Sequence, residues 1–141
     1  MFRNTAITTF PELEKFVNVK KIQTNDFYND TLTTLGVRLI TACGLQCFNN
    51  FKVTSPLYFD NLTSVDYMAF NSGSTVPVMI IRSNVVPTVG GTPLFGVNFK
   101  INAIYVPDAL VDSYKSTTGW SAKASIIYPL SECPYELPPK V

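Results

Sequence analysis

The segment SPLYFDNLTSVDYMAF, residues 55–70, contains the pattern that decides the fold predicted for this chain. A short strand-like run places Leu57 and Phe59 on the same side, because successive side chains of a strand point to opposite faces. Two smaller apolar residues follow, Leu62 and Val65, and the segment ends on a phenylalanine. Each of these three features has counterparts elsewhere in the chain.

The features recur at a step of about 22 residues. Equivalent strand positions are separated by 22, 22 and 25 residues: Leu35, Leu57, Met79 and Ile104. The phenylalanines keep pace at steps of 21, 22 and 25: Phe27, Phe48, Phe70 and Phe95. One such unit has too few apolar side chains for a closed core, so neighbouring units must stack and share one. The sequence therefore predicts a β-rich α+β solenoid, a leucine-rich repeat of about four units with a C-terminal helical cap.

The predicted cap is the segment IYVPDALVDSYKSTTGWS, residues 104–121. Pro107 stops strand pairing and suits the first turn of a helix. Leu110 and Tyr114 then share one helix face, and Trp120 adds a large apolar area. Because a stack exposes its apolar column at each end, we expect this helix and the tryptophan to cover the last unit.

Four regions follow from this pattern. Residues 1–17 form an N-terminal cap or partial repeat, residues 18–106 form the repeats, and residues 107–130 form the capping helix and a last strand. Residues 131–141, SECPYELPPKV, contain three prolines in eleven residues, which is typical of an extended tail or a linker.

The composition argues against several classes of protein. The formal net charge is +1, and Lys20-Lys21 is the only adjacent basic pair, so no basic face for nucleic acid is predicted. No apolar run approaches the roughly 20 residues that span a bilayer, so membrane insertion is not expected. Residues 1–16 lack the apolar core of a signal peptide.

Catalysis, metal binding and cofactor binding are not predicted either. The chain has no histidine, the commonest general base and a frequent zinc ligand. The odd cysteine count fits structural thiols better than a disulfide framework: Cys43, Cys47 and Cys133. The candidate carboxylate pairs are explained more simply by turns and helix ends: Glu12/Glu14, Asp26/Asp30, Asp108/Asp112 and Glu132/Glu136.

A candidate binding surface follows from strand alternation. The inward position of Leu35, Leu57, Met79 and Ile104 leaves two outward columns on the sheet face: Arg38, Tyr58, Asp60, Ile80, Arg82 and Tyr105. Tyrosines in such a column can contact a protein partner or stack on sugars. The alternative is that these side chains pair across strands and only stabilise the sheet.

With these residues in view, the chain resembles the BspA-type leucine-rich repeat family. The resemblance lies in NLTSVDYMAF (Asn61 to Phe70), in MIIRS followed by VVPTV, and in IYVPDALVDSYKSTTGWSAKASIIYPL as a C-terminal cap, and it covers roughly residues 16 to 130. The alanine that usually precedes the repeat phenylalanine is kept only as Ala69. The resemblance implies a solenoid of short strands, found in surface and secreted proteins of gut bacteria and in some phage proteins. It also implies adhesion and protein binding without a catalytic motif.

Two non-enzymatic roles are therefore expected. One is a structural or decoration component of an assembly such as a phage virion, and the other is an adhesion or ligand-binding domain on a bacterial cell surface. A glycan-binding accessory domain is a third alternative, which the tyrosines alone would support. The start at Met1 without a signal sequence and the natural-looking tail favour the assembly. The expected partner is a protein of the assembly or of a host surface, with a glycan as the alternative.

Overall fold

The structure is a computed structural model, and it describes residues 5–141. Its strands are short and follow one another in this order: β1 (Thr9–Phe10), β2 (Lys21–Ile22), β3 (Thr31–Leu32), β4 (Thr34–Leu35), β5 (Ala42–Cys43), β6 (Lys52–Val53), β7 (Leu57–Phe59), β8 (Ser64–Val65), β9 (Val78–Ile81), β10 (Thr88–Val89), β11 (Ala103–Val106) and β12 (Ile127–Pro129). The α-helix α1 spans Val111–Ser116. Short 3-10 helices lie at Pro11–Lys15, Asp108–Leu110, Trp120–Ile126 and Leu130–Glu132.

The strands form four separate sheets. Two sheets have four strands each, in the orders β10-β8-β5-β2 and β12-β11-β9-β7, and two have two strands each, β1-β4 and β3-β6. Every pairing among the described strands is parallel. Partners come from neighbouring units of the sequence pattern, as when Ala42 pairs with Ser64 and Leu57 pairs with Met79.

This arrangement contradicts the predicted fold class. A leucine-rich repeat solenoid would carry its equivalent strands in one continuous sheet. Instead, Leu35 in β4 pairs with Phe10 in β1, whereas Leu57 in β7 pairs with Met79 in β9, and β4 and β7 belong to different sheets. The prediction of a solenoid is therefore wrong, and the chain is a small α/β protein with parallel strands in four separate sheets.

The break between β4 and β7 lies at Pro56. The amide N–H of Ser55 donates to Thr33 O at 3.0 Å, but the next residue, Pro56, has no N–H to donate. The two strands separate at this point, and β7 pairs on its other side only. The sequence pattern located the strands but not the partner of each strand.

The repeated phenylalanines form the centre of the core. Phe27, Phe48, Phe70 and Phe95 stack in order with centroid distances of 5.7, 5.7 and 5.6 Å. They are at most 6% exposed, and Phe48 and Phe70 are fully buried. One ring from each unit thus stacks on the ring of the next, which buries a continuous aromatic column.

The C-terminal end of this column is covered by the helical segment after Pro107. Trp120 packs edge-on against Phe95 at 5.9 Å and against Tyr114 of α1 at 5.2 Å. Its indole N–H donates to Pro87 O at 3.0 Å, so the buried ring also has its polar atom satisfied. Tyr114 and Trp120 are both fully buried.

The N-terminal region is closed by a weaker element. A 3-10 helix there, Pro11–Lys15, buries only Leu13. Thr9 lies in β1. Positions 1–4, part of the predicted N-terminal cap, lie outside the described residues. In the part of the chain from residue 5 onward, no helix has both the length and the apolar character needed to cross a membrane.

Candidate interaction surface

The candidate site lies on one face of the sheet formed by β7, β9, β11 and β12. Leu57, Met79 and Ile104 point from one side of this sheet into the main core. The opposite side carries a second, smaller cluster built around Val78, Ile80 and Ala103, against which the following side chains pack: Tyr58, Tyr105, Tyr128, Leu130 and Cys133. This second side is called the outer face below.

The chain's own C-terminal segment lies on the outer face. Residues 133–141, called the strap below, leave β12 at one edge of the sheet and reach Tyr58 in β7 at the other. The Tyr58 hydroxyl donates to Glu136 O at 3.0 Å. The predicted tail is therefore bound to the body of the protein, and its first two residues belong to the 3-10 helix Leu130–Glu132.

Two arginines continue this contact. Arg82 donates through Nη1 to Pro138 O, and Arg38 donates through Nη1 to Pro139 O at 3.1 Å. The acceptors are main-chain carbonyls, as is Glu136 O. A proline-rich extended segment leaves its carbonyls without internal partners, so they can accept bonds from the body.

The last two residues of the strap bind beside β7 and β9. The Val141 amide donates to Asp60 Oδ2 at 3.0 Å, and Asn61 Nδ2 donates to Val141 O at 2.9 Å. The Lys140 ammonium lies 3.4 Å from Asn84 Oδ1. Hydrogen bonds therefore hold the strap from Glu136 to Val141.

Two ion pairs within the body position the arginines. Arg82 Nε and Nη2 bind the two carboxylate oxygens of Asp60 at 2.6 and 2.9 Å, and the two side chains are 10% and 0% exposed. Arg38 binds Glu14 through Nε and Nη2 at 2.6 to 3.0 Å, with both side chains 23% exposed. The hydrogen bond to Glu14 is the main reason that the pKa of Arg38 is raised. Both guanidinium groups are thus held in place by a carboxylate and still donate to the strap.

Tyr58 and Tyr105 of the outer face remain protonated at neutral pH. Burial is the main cause that raises the pKa of both Tyr58 and Tyr105 above the ordinary value. A protonated Tyr58 can donate to the strap. Tyr105 instead packs against Tyr128, with ring centroids 5.7 Å apart.

All six residues predicted for the binding surface lie at this face or beside it, but the face is not open. Arg38, Tyr58, Asp60 and Arg82 bind the strap directly. Ile80 and Asp60 are 0% and 1% exposed, although strand alternation predicted an exposed column. The alternation itself is correct, because Ile80 and Tyr105 lie on the opposite side of the sheet from the main core.

Sequence reasoning missed three residues that complete this surface. Asn61 and Asn84 bind the end of the strap, and Glu14 positions Arg38 from outside the predicted repeats. None of the three belongs to the periodic pattern. The available signal was the strap itself, since three prolines in a segment imply unpaired carbonyls that need donors.

A second surface feature is an open groove of about 690 Å³ away from the strap. Its floor contains parallel bridges that place Thr75 between Lys52 and Lys100. The side chains around it are polar or exposed, apart from Phe99: Asn50, Lys52, Gly73, Thr75, Val97, Asn98, Phe99 and Lys100. The residues that line the groove include two lysines and no carboxylate.

The described part of the chain contains no metal-binding cluster and has buried cysteines. Within residues 5–141, no three His, Cys, Asp or Glu side chains come together to hold a metal ion. Cys43 and Cys47 are buried, and burial raises the pKa of the Cys47 thiol well above its usual range. A thiol in that state is a poor nucleophile.

Neither a protein-family model nor a curated protein sequence matches this chain. The resemblance to the BspA-type family therefore stays a prediction from the quoted motifs.

Proposed function

We propose that this protein is a non-catalytic protein-interaction module that serves as a structural or decoration component of a larger assembly, such as a phage virion. The observation that carries the proposal is the contact between the strap and the outer face. An extended proline-rich segment is bound there by side chains that donate to its main-chain carbonyls. Such contacts do not depend on the side chains of the bound segment, so the same face can accept extended segments of related composition.

The strap also offers apolar surface to a partner. Tyr135, Leu137 and Val141 are 40%, 41% and 49% exposed while the strap is bound. Aromatic and aliphatic side chains that remain exposed next to hydrogen-bonded main chain are typical of the contacts that bury further area on association. The strap and the outer face together support a role in assembly.

The native mass of the species that contains this chain tests the proposal. The species is purified from its source without denaturation, and its mass is measured by native mass spectrometry or light scattering. We expect a large particle with a fixed number of copies of the chain. A free monomer at its natural concentration would contradict the proposal.

Two variants test whether the strap contact on the outer face is needed for incorporation into the particle. Arg38→Ala removes one donor to the strap, whereas Lys20→Ala removes an exposed cation that no strap contact uses. We expect Arg38→Ala to lower the incorporation of the chain into the particle and Lys20→Ala to leave incorporation unchanged. Equal incorporation of both variants would show that the contact between Arg38 and the strap is not needed for assembly.

The open groove supports a second candidate function, that of an adhesion or ligand-binding domain on a cell surface. Its asparagine, threonine and lysine side chains can exchange hydrogen bonds with the hydroxyl groups of a glycan. Binding of the purified chain to a panel of glycans, lost in the variant Lys52→Ala/Lys100→Ala, would favour this role. Absence of binding together with a large native mass would favour the assembly component.

A further inference from the structure

We propose that the strap of one copy binds the outer face of a second copy, so that copies of this chain are joined by strap exchange. The inference rests on the proposed function, because it names a second copy of this chain as the partner in the assembly.

The strap is bound at its main chain and is weakly packed. Every residue from Pro134 to Val141 is exposed except Pro138, which is half-buried. The hydrogen bonds from Tyr58, Arg82 and Arg38 reach strap carbonyls rather than strap side chains. Segments with few buried apolar contacts open at lower free energy than the core of the same protein. Release of the strap therefore leaves the aromatic core intact.

The surface under the strap is built without the strap. The Asp60–Arg82 and Arg38–Glu14 pairs lie entirely within residues 5–132, so both guanidinium groups keep their positions when the strap leaves. Departure frees the Tyr58 hydroxyl and the Nη1 donors of Arg38 and Arg82. A preformed donor set favours renewed binding of an identical segment.

The strap can detach at its first residues. The preceding 3-10 helix, Leu130–Glu132, is tied to the body because the Ser131 amide donates to Asp108 Oδ1 at 3.1 Å. The eight residues from Pro134 to Val141 span about 26 Å when extended, which suffices to reach an adjacent copy. Exchange forms in the second copy the same contacts that it breaks in the first, so it is a low-cost route to association. Crowding of copies in an assembly raises the effective concentration and favours it.

Zero-length crosslinking with isotope labels tests the exchange in the full chain. The variant Asn84→Asp puts a carboxylate beside the Lys140 ammonium, which lies 3.4 Å from Asn84 Oδ1, and a carbodiimide joins such a pair. Heavy and light preparations of this variant are mixed in equal amounts and concentrated. Oligomers are then separated from monomers, crosslinked and digested, and the linked peptides are sorted by isotope.

Exchange predicts that about half of the linked peptides in the oligomer join one heavy and one light chain. The variant Asn84→Asp/Lys140→Arg is the control, because arginine does not react and the link at this site disappears. Oligomers that contain only heavy–heavy and light–light links would overturn the exchange, as would the absence of oligomers at every concentration up to the millimolar range.

A second variant pair tests whether strap release limits the exchange. Tyr58→Phe removes one strap hydrogen bond, and the contact is lost equally in the unexchanged and exchanged forms. The final heavy–light fraction should therefore stay unchanged, whereas the time needed to reach it should shorten about fivefold. Tyr105→Phe, whose hydroxyl bonds no described strap atom, should change neither quantity. An equal rate for Tyr58→Phe and the parent would contradict strap release as the exchange step.

The two proposals fail in different ways. A large native particle without heavy–light links would leave the assembly role standing and overturn only the exchange. A free monomer from the natural source would overturn the assembly role, and the isotope distribution would still decide the exchange in the purified chain.

Discussion

The two faces of the sheet β7-β9-β11-β12 are covered in different ways. On the inner side, Leu57, Met79 and Ile104 are fully buried against side chains that recur with the sequence pattern. On the outer side, Ile80 is equally buried, but the segment that crosses this face occurs once in the chain and is bound by hydrogen bonds to its carbonyls. Burial of a side chain therefore does not reveal which kind of contact covers it.

The difference bears on stability and on function. Side-chain packing in a periodic core is lost only when the protein unfolds. A strap held by hydrogen bonds at the surface can open locally while the rest of the chain stays folded. The inner face thus contributes most of the stability, whereas the strap on the outer face is the part expected to open first.

The largest expected effect comes from breaking the inner face. Phe70 is fully buried and stacks between Phe48 and Phe95, so Phe70→Ala should lower the free energy of unfolding by about 3 to 5 kcal/mol. Urea denaturation measures the change. The matched control Phe16→Ala removes a ring that is 54% exposed and should cost about 0.5 kcal/mol. Equal losses for the two variants would contradict a core built on the phenylalanine column.

The second-largest expected effect is the loss of stability when an arginine that binds the strap is replaced. Arg82→Ala leaves the buried carboxylate of Asp60 without its cation, which should cost about 3 kcal/mol. Arg38→Ala removes a pair that is about a quarter exposed and should cost less than about 1 kcal/mol, although it also loses a strap contact. Thermal unfolding of both variants gives the comparison. A smaller loss for Arg82→Ala than for Arg38→Ala would show that the Asp60–Arg82 pair does not organise the outer face.

A smaller effect appears at alkaline pH. Burial raises the pKa of Tyr114 well above its usual range, and among the described residues no group accepts its proton. Above about pH 10 the unfolded chain loses this proton while the folded chain keeps it, so the free energy of unfolding falls as the pH rises. The contribution is about 1.4 kcal/mol per pH unit.

Tyr114→Phe should therefore make this decline shallower and change little at pH 7. Tyr28→Phe, at a half-buried tyrosine outside the helical segment, is the control. Urea denaturation between pH 7 and pH 11 measures both slopes. The same slope for Tyr114→Phe and the parent chain would show that this hydroxyl is hydrated.

The smallest expected effect is a difference in alkylation rate between the cysteine thiols of the two faces. Cys43 and Cys47 lie in the main core, whereas Cys133 packs at the outer face where the strap begins and is partly exposed. In the folded protein, iodoacetamide should modify Cys133 first, and Cys43 and Cys47 should react only after unfolding. Peptide mass mapping over time measures the three rates. Early modification of Cys47 would mean that the core opens as easily as the strap.

Sequence reasoning succeeded where the fold depends on periodic side chains. The spacing located the buried phenylalanines, the strands around Leu57, Met79 and Ile104, and the helical segment that buries Tyr114 and Trp120. Each of these features repeats, or covers the end of a repeat, and a repeat can be recognised within a single sequence.

The failures concern contacts that the period does not encode. β4 pairs with β1 and not with β7, so the repeated strands lie in two sheets where one was expected. The strap binds through carbonyls, which every residue has, so no side-chain pattern marks its partners. Asn61 and Glu14 therefore carried no signal, and the outer face was expected to be open.

The most direct test of this account is whether the strap lies on the outer face in solution. Nuclear Overhauser contacts between the ring protons of Tyr58 and the main chain around Glu136 report the hydrogen bond from the Tyr58 hydroxyl to Glu136 O. We expect these contacts, together with slowed exchange of the Val141 amide that donates to Asp60. Random-coil shifts for residues 134–141, with no contact to Tyr58, would contradict the central claim that this segment covers the outer face.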